Sequence, residues 1–224
     1  MRCVVGLVVC GSALSLIIHA ELGLAPWDVL HQGVSRRTGV PIGTVIVLFG
    51  LLVLLLWIPL RVRPGLGTLL NAVIIGVVVD VVTPRLPELE HLAARGVLLV
   101  AGIVLFGVGT GVYLGAGLGA GPRDGLMTGL VARGASVRVV RTGLELTVLL
   151  VGVALGGSIG IGTLLFTVGI GPIVHVALPR FSVGASGHGS AKPATATASS
   201  PAAGSEPNTK TNSSVSSTPR KSTT

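Results

Sequence analysis

Six residues of this chain have side chains suited to holding a charged solute or passing a proton: Asp28, Asp124, Glu145, Arg141, Asp80 and His175. Asp28 and Asp124 each follow a proline by two positions, in Pro26-Trp27-Asp28 and Pro122-Arg123-Asp124. Proline suits the first turn of a helix because its missing N–H costs nothing there, and an acid in that turn complements the positive end of the helix dipole. Both aspartates therefore read as helix-terminal acids first and as solute or proton contacts second. Glu145 stands inside an apolar run, where a carboxylate is costly and marks function by default. Arg141, one turn earlier, offers a purely structural i,i+4 pair, and the sequence leaves both readings open. Asp80 and His175 hold equivalent places near the ends of two apolar runs. They would form a symmetric polar pair or, more simply, two interfacial groups.

Covalent chemistry has little to stand on. No nucleophile is placed beside a base, and no His/Cys/Asp/Glu spacing suits a metal. The expectation is a non-enzyme with no cofactor and no metal. Cys3 and Cys10 lie seven residues apart, about 10 Å along a helix, too far for a disulfide. His31 reads as a polar-face residue, and His19, His91 and His188 lie at boundaries or in the tail. The glycines from Gly107 to Gly121 read as a close-packing face.

The elements that must position these residues are membrane helices. Half the residues are hydrophobic and only 11% are charged, against about 25% in soluble domains. The net charge of +8 comes from arginines in gaps between apolar runs, together with a basic tail, so the positive-inside rule explains it better than nucleic acid does. Apolar runs at about 3–20, 40–60, 66–82, 97–118, 139–155 and 159–178 predict six spans. Trp57, followed by Arg61 and Arg63, reads as a membrane–water boundary. Residues 83–95 read as a polar linker, and 181–224, rich in Ser, Thr, Ala and Pro, as a disordered tail.

The chain also repeats itself. At a shift of 96, Gly23, Pro26, Asp28, Leu30, Gly33 and Arg37 match Gly119, Pro122, Asp124, Leu126, Gly129 and Arg133. At a shift of 95, Gly65-Leu-Gly-Thr-Leu-Leu matches Gly160-Ile-Gly-Thr-Leu-Leu. Two ordered blocks in nearly the same frame favour duplication. The halves are 1–85 and 86–180, each with three spans and a short helix after the first, at 26–37 and 122–133. A unit with an odd number of crossings re-enters from the opposite face, which gives two inverted three-helix repeats. Arg2, Arg61, Arg63, Arg123, Arg133, Arg138, Arg141 and Arg180 then fall inside, against Arg36, Arg37, Arg85 and Arg95 outside. Both termini are thus expected in the cytoplasm.

Each short helix spans about half a bilayer. Re-entrant, the pair would bring Pro26/Asp28 and Pro122/Asp124 together at mid-depth; flat, it would lie at the interface with Trp27 as an anchor. His31, Gln32 and the two arginines favour the flat arrangement.

Leu24-Ala-Pro-Trp-Asp-Val-Leu-His-Gln-Gly, Ile42-Gly-Thr, Arg63-Pro-Gly-Leu-Gly-Thr, Pro122-Arg-Asp-Gly-Leu-Met-Thr-Gly and Val139-Val-Arg-Thr-Gly-Leu-Glu-Leu-Thr together resemble the YczE-like bacterial integral membrane proteins, grouped broadly with the YitT family. The resemblance covers about residues 1–178 and implies a multi-pass cell-membrane protein; it supplies no established site residues. The fold expected is an all-α polytopic membrane protein. Its expected function is transport or channelling of a small polar or anionic solute, or alternatively scaffolding of another membrane system. The expected partners are the lipid bilayer, that solute, and a second copy or a membrane protein partner.

Overall fold

The structure, a computed structural model, describes residues 1–181. The stretch from 182 onward, including nearly all of the expected tail, lies outside the described residues; Phe181 ends the last helix.

Among the described residues the regular structure is helical: α1 (Arg2–Ala20), α2 (Pro26–Thr38), α3 (Ile42–Leu60), α4 (Leu66–Val82), a 3-10 turn (Thr83–Arg85), α5 (Leu92–Gly115), α6 (Pro122–Val131), α7 (Val137–Ala154) and α8 (Ile161–Phe181). The expected linker ends early, because 92–95 already forms the first turn of α5. There Arg95 donates to the Ala20 carbonyl at 2.8 Å and pairs with Glu21 at 2.9 Å. Five helices are long and apolar enough to cross a membrane: α1, α3, α4 extended through its 3-10 turn, α5 and α8. α7 is long enough but carries Arg138, Arg141 and Glu145.

α1 and α5 form the centre, and they run antiparallel. Gly6 packs so tightly on Gly109 and Tyr113 that a Cβ would stand 2.6 Å from the Tyr113 nitrogen. Gly102 packs equally tightly on Ala13 and Ile17. Adding 96 to 6, 13 and 17 gives 102, 109 and 113, so the two contacts are one contact made twice in opposite senses. Glycine at these positions lets the backbones approach, which is how apolar helices associate where lipid removes the hydrophobic drive between them. α4 packs on α1 through Gly11 against Val78 and Ile75, and α8 packs on α5 through Gly107 against Ile173 and Ile170, again in matching register.

The short helices cross over. α2 lies on α7 of the other half, where Gly33 meets the Gly152 carbonyl and Val29 fits against Gly152 and Gly157. α6 lies on α3, with Trp57 over Gly125. Large and small residues have changed sides between the copies: α2 brings a valine to glycines, whereas α6 brings a glycine to a tryptophan. Trp57 is therefore not a boundary anchor. It is 3% exposed, and its indole N–H donates to the Pro122 carbonyl at 3.0 Å.

α2 is not a flat surface helix either. Asp28, Val29, Leu30, His31, Gln32 and Gly33 are all buried, because α7, α3 and the central pair cover the polar face as well as the apolar one. Its polar groups find partners inside: Gln32 accepts from the Ser158 N–H at 2.7 Å, and His31 Nδ1 lies 3.3 Å from Asp28. The first two residues, Pro26 and Trp27, are half-buried, and exposure rises again from Val34 to the C-terminal turn with Arg36 and Arg37.

Candidate functional site

The N-termini of α2 and α6 meet around the central pair. A cavity of about 220 Å³ is bounded by Pro26 and Trp27 of α2, Arg123 and Asp124 of α6, Cys10 of α1 and Phe106 of α5. Arg141 and Glu145 of α7, Phe166 and Thr167 of α8, and the polar groups of Asn71, Thr110 and Tyr113 also line it. Cys10 and Phe106 are near the middles of their helices and are equivalent at the shift of 96, so the cavity sits where the two halves are related. A smaller cavity of about 70 Å³ adjoins it, sharing Trp27, Asn71, Phe106 and Arg123, and adding Asp28, His31 and Phe49.

Both half-helix N-termini are set by one backbone device. Gly23 and Gly119 have φ of 109° and 122°, a region open to glycine and strained for other residues. The turn at Gly23 abuts Gly160 and Thr163, and the turn at Gly119 abuts Gly65 and Thr68. The N–H of Gly162 donates to the Leu22 carbonyl at 2.8 Å, as Gly67 does to Leu118 at 2.9 Å. The far ends of the half-helices are tied as well. Arg133 donates to the Pro59 carbonyl at 2.6 Å, and Arg36 donates to the Gly156 carbonyl at 2.7 Å. The repeat alignment pairs Arg133 with Arg37, but Arg36 makes the equivalent bond. α2 continues to Thr38 whereas α6 stops at Val131 and finishes in a tight turn, so the register slips by one residue.

The candidate residues divide between roles. Asp124, Arg141 and Glu145 come together on the larger cavity, where Arg141 Nε pairs with Glu145 at 3.2 Å. The Arg141 side chain is 62% exposed and that of Glu145 33%, so this is a partly open pair of modest strength. Asp28 belongs to the smaller cavity and is held by His31, whose ring also meets Phe49 edge-on at 5.4 Å. Asp80 is used elsewhere: it accepts from the Gly43 N–H at 2.6 Å and the Thr44 hydroxyl at 2.7 Å, satisfying one of the N–H groups that lack an intrahelical partner at the start of α3. His175 is exposed, and no hydrogen bond or ion pair joins it to Asp80.

Arg123 is the cavity residue that motif reading missed, having counted it with the loop arginines. The signal was present, because a guanidinium in the first turn of a helix opposes the dipole and stands where the first copy has Trp27. Among the described residues no group of three or more His, Cys, Asp or Glu could hold a metal.

A family model described as "Family of unknown function (DUF6198)" matches residues 1–179. The chain belongs to this family. It is 38% identical over 178 residues to the "Uncharacterized membrane protein YczE" of Bacillus subtilis, covering 78% of this chain and 83% of that one. A Haemophilus influenzae "Uncharacterized protein" is 45% identical over 161 residues, covering 71% and 74%. The "Uncharacterized protein YyaS" of Bacillus subtilis is 32% identical over 182 residues, covering 78% and 90%. No solved structure matches. The YczE-like resemblance is thus shown, and the apolar helices agree with an integral membrane protein lying in a lipid bilayer.

Proposed function

We propose that the chain transports a small polar solute across the cell membrane, through two inverted three-crossing halves with α7 as the sixth crossing, and that it performs no covalent chemistry. The observation that carries this reading is the charged cavity at the junction of the halves, walled by the N-termini of both half-helices. Broken helices whose positive ends face a mid-membrane site are the usual way transporters hold polar cargo away from water. The inverted arrangement draws support from the antiparallel packing of equivalent helices α1 and α5. α7 is a credible crossing despite its charges, since Arg138 lies in its first turn and Arg141 and Glu145 face the cavity. The half-helices are then re-entrant, with Pro26 and Pro122 near mid-depth. Arg61, Arg63 and Arg138 fall at one end of the bundle and Arg36, Arg37 and Arg85 at the other, and the first set is assigned to the cytoplasm with both termini.

A difference between the halves suggests how access alternates. α3 and α4 pack closely, with Gly43 against the Gly76 backbone and Gly50 against Ala72. Their counterparts α7 and α8 do not pack along their length, and the cavity extends between them. One half is closed and the other open; exchange of these two arrangements would carry the site from one side to the other.

Purified protein in proteoliposomes tests the reading by uptake of a panel of radiolabelled polar solutes, comparing wild type with Asp124→Asn and Glu145→Gln. Flux of one class, lost in Asp124→Asn, supports it. Equal absence of flux in all three proteins sinks it and leaves a scaffold. Labelling of Arg37→Cys and Arg138→Cys tests the topology: reaction from one side for both contradicts inversion.

A further inference from the structure

The two half-helices differ where they meet the cavity. α2 presents Trp27, Asp28 and His31, whereas α6 presents Arg123, Asp124 and Met127 at the equivalent places. In the first copy the acid is satisfied, because Asp28 lies 3.3 Å from His31 Nδ1 and is 4% exposed. In the second copy methionine replaces that histidine. The Asp124 side chain makes no hydrogen bond or ion pair with the described residues, and neither does that of Arg123, its neighbour on the same cavity wall. The cavity therefore offers one unpaired positive and one unpaired negative group side by side. Its remaining charges, Arg141 and Glu145, already pair with each other.

This balance restricts the ligand. A simple anion would satisfy Arg123 and leave Asp124 uncompensated beside it; a simple cation would do the reverse. Either arrangement leaves one charge without a partner at a half-buried position, where water compensates it only in part. A molecule carrying a carboxylate and an ammonium a few bonds apart satisfies both. The guanidinium presents a planar fork matched to a carboxylate, and the carboxylate of Asp124 accepts from an ammonium. The rest of the wall is mixed: Asn71, Thr110, Tyr113 and Thr167 add polar groups, while Trp27, Ile75, Phe106, Phe166 and Ile170 form an apolar part, with Phe106 and Phe166 edge-to-face at 5.5 Å. The apolar part suits a short hydrocarbon side chain, and the space of about 220 Å³ accommodates a small molecule.

We propose that the site between Arg123 and Asp124 binds a small zwitterion of the amino-acid type, carboxylate on Arg123 and ammonium on Asp124. The inference rests on the transport reading for its purpose but not for its test, since binding is measured without flux. The full chain in detergent is heated with L-alanine, with propionate (the same skeleton without the amine) and with ethylammonium (the same skeleton without the carboxylate). L-Leucine and glycine betaine extend the panel to bulk and to a quaternary cation.

The unfolding midpoint of the wild type should rise with L-alanine or L-leucine and with neither fragment. Arg123→Gln should lose that response and gain one to ethylammonium, while Asp124→Asn should gain one to propionate. Asp124→Asn keeps the size of the side chain and Arg123→Gln shortens it, and the wild-type comparison of L-alanine with its fragments stands even if a variant misfolds. Stabilisation of the wild type by propionate or ethylammonium equal to that by L-alanine overturns the proposal, as does no response to any zwitterion. In that last case, flux of another solute lost in Asp124→Asn would leave the transport reading standing. Zwitterion binding with no counterflow in proteoliposomes would keep the site and sink transport.

Discussion

The N–H of Gly67 donates to the carbonyl of Leu118 at 2.9 Å, and the same bond is made at the opposite end of the bundle from Gly162 to Leu22 at 2.8 Å. Each joins the start of a helix in one half to the turn before a half-helix in the other. The same contact recurs with the two halves exchanged. The turn before each half-helix is therefore held by the other half. Fixing these turns requires positive φ at Gly23 and Gly119.

Substituting either turn glycine should destabilise the whole bundle. A Cβ on Gly23 would stand 2.5 Å from the Gly160 nitrogen, and one on Gly119 would stand 2.8 Å from the Thr68 hydroxyl. Gly23→Ala and Gly119→Ala should each cost about 1–3 kcal/mol, the scale of a strained backbone, read as a lowered unfolding midpoint in detergent. Gly96 has open space around it and lies within α5, so Gly96→Ala should instead stabilise by about 0.5–1 kcal/mol. Equal responses at all three positions would refute the turn argument.

Trp57 should matter beyond its size. Its ring covers Gly125, its N–H holds the Pro122 carbonyl, and it packs with Val53 and Leu126. Trp57→Ala should destabilise by about 3–5 kcal/mol through the void it leaves. Trp57→Phe keeps most of the ring but removes the donor, and should cost about 1–2 kcal/mol. Because Pro122 precedes Arg123 and Asp124, the phenylalanine variant should also weaken solute protection in the same melting experiment. Loss of stability with undiminished protection would separate Trp57 from the site.

Much of this was legible in the sequence, for physical reasons that also mark where reading stops. The repeat of Gly-x-x-Pro-x-Asp locates both half-helices, because proline and an acid at a helix start act locally. The depth of those helices was not local. His31 and Gln32 argued for an interfacial α2, yet their partners are Asp28, one turn away, and Ser158, in the other half. Trp57 followed by arginines reads as a boundary residue until α6 is laid over it. Glu145 and Arg141 do pair as their i,i+4 spacing implied, but spacing carried no sign that the pair borders a cavity. Arg123 escaped because charge counting by loops ignores chain that turns back inside the bundle.

Asp80 illustrates a separable structural role. Its carboxylate holds Gly43 N–H and the Thr44 hydroxyl, so Asp80→Ala should cost about 0.5–2 kcal/mol, the scale of a lost helix cap. Asp80→Asn keeps an acceptor and should recover most of that loss. Neither variant should alter which solutes protect the protein, since Asp80 does not border the cavity. A changed solute preference in Asp80→Asn would return this residue to the site.

The last prediction concerns two glycines that lack neighbours. Val47 and Gly76 are in contact on the closed pair α3/α4; at the shift of 95 they map to Thr142 on α7, beside Gly143, and to Gly171 on α8. Nothing lies within 4 Å of a Cβ placed at either glycine, Gly143 or Gly171. Glycine inside a helix costs about 1 kcal/mol relative to alanine, with no packing here to offset it. If α7 and α8 close as α3 and α4 do, that close approach is what the glycines serve. Gly143→Ala and Gly171→Ala should then leave the observed state as stable or up to about 1 kcal/mol more stable, while slowing flux. A Thr142→Cys/Gly171→Cys pair should form a disulfide under mild oxidation only as the helices come within about 7 Å, arresting flux until it is reduced. Normal flux in a protein whose pair never cross-links, or persists fully cross-linked, would show that these helices do not close on one another during the cycle.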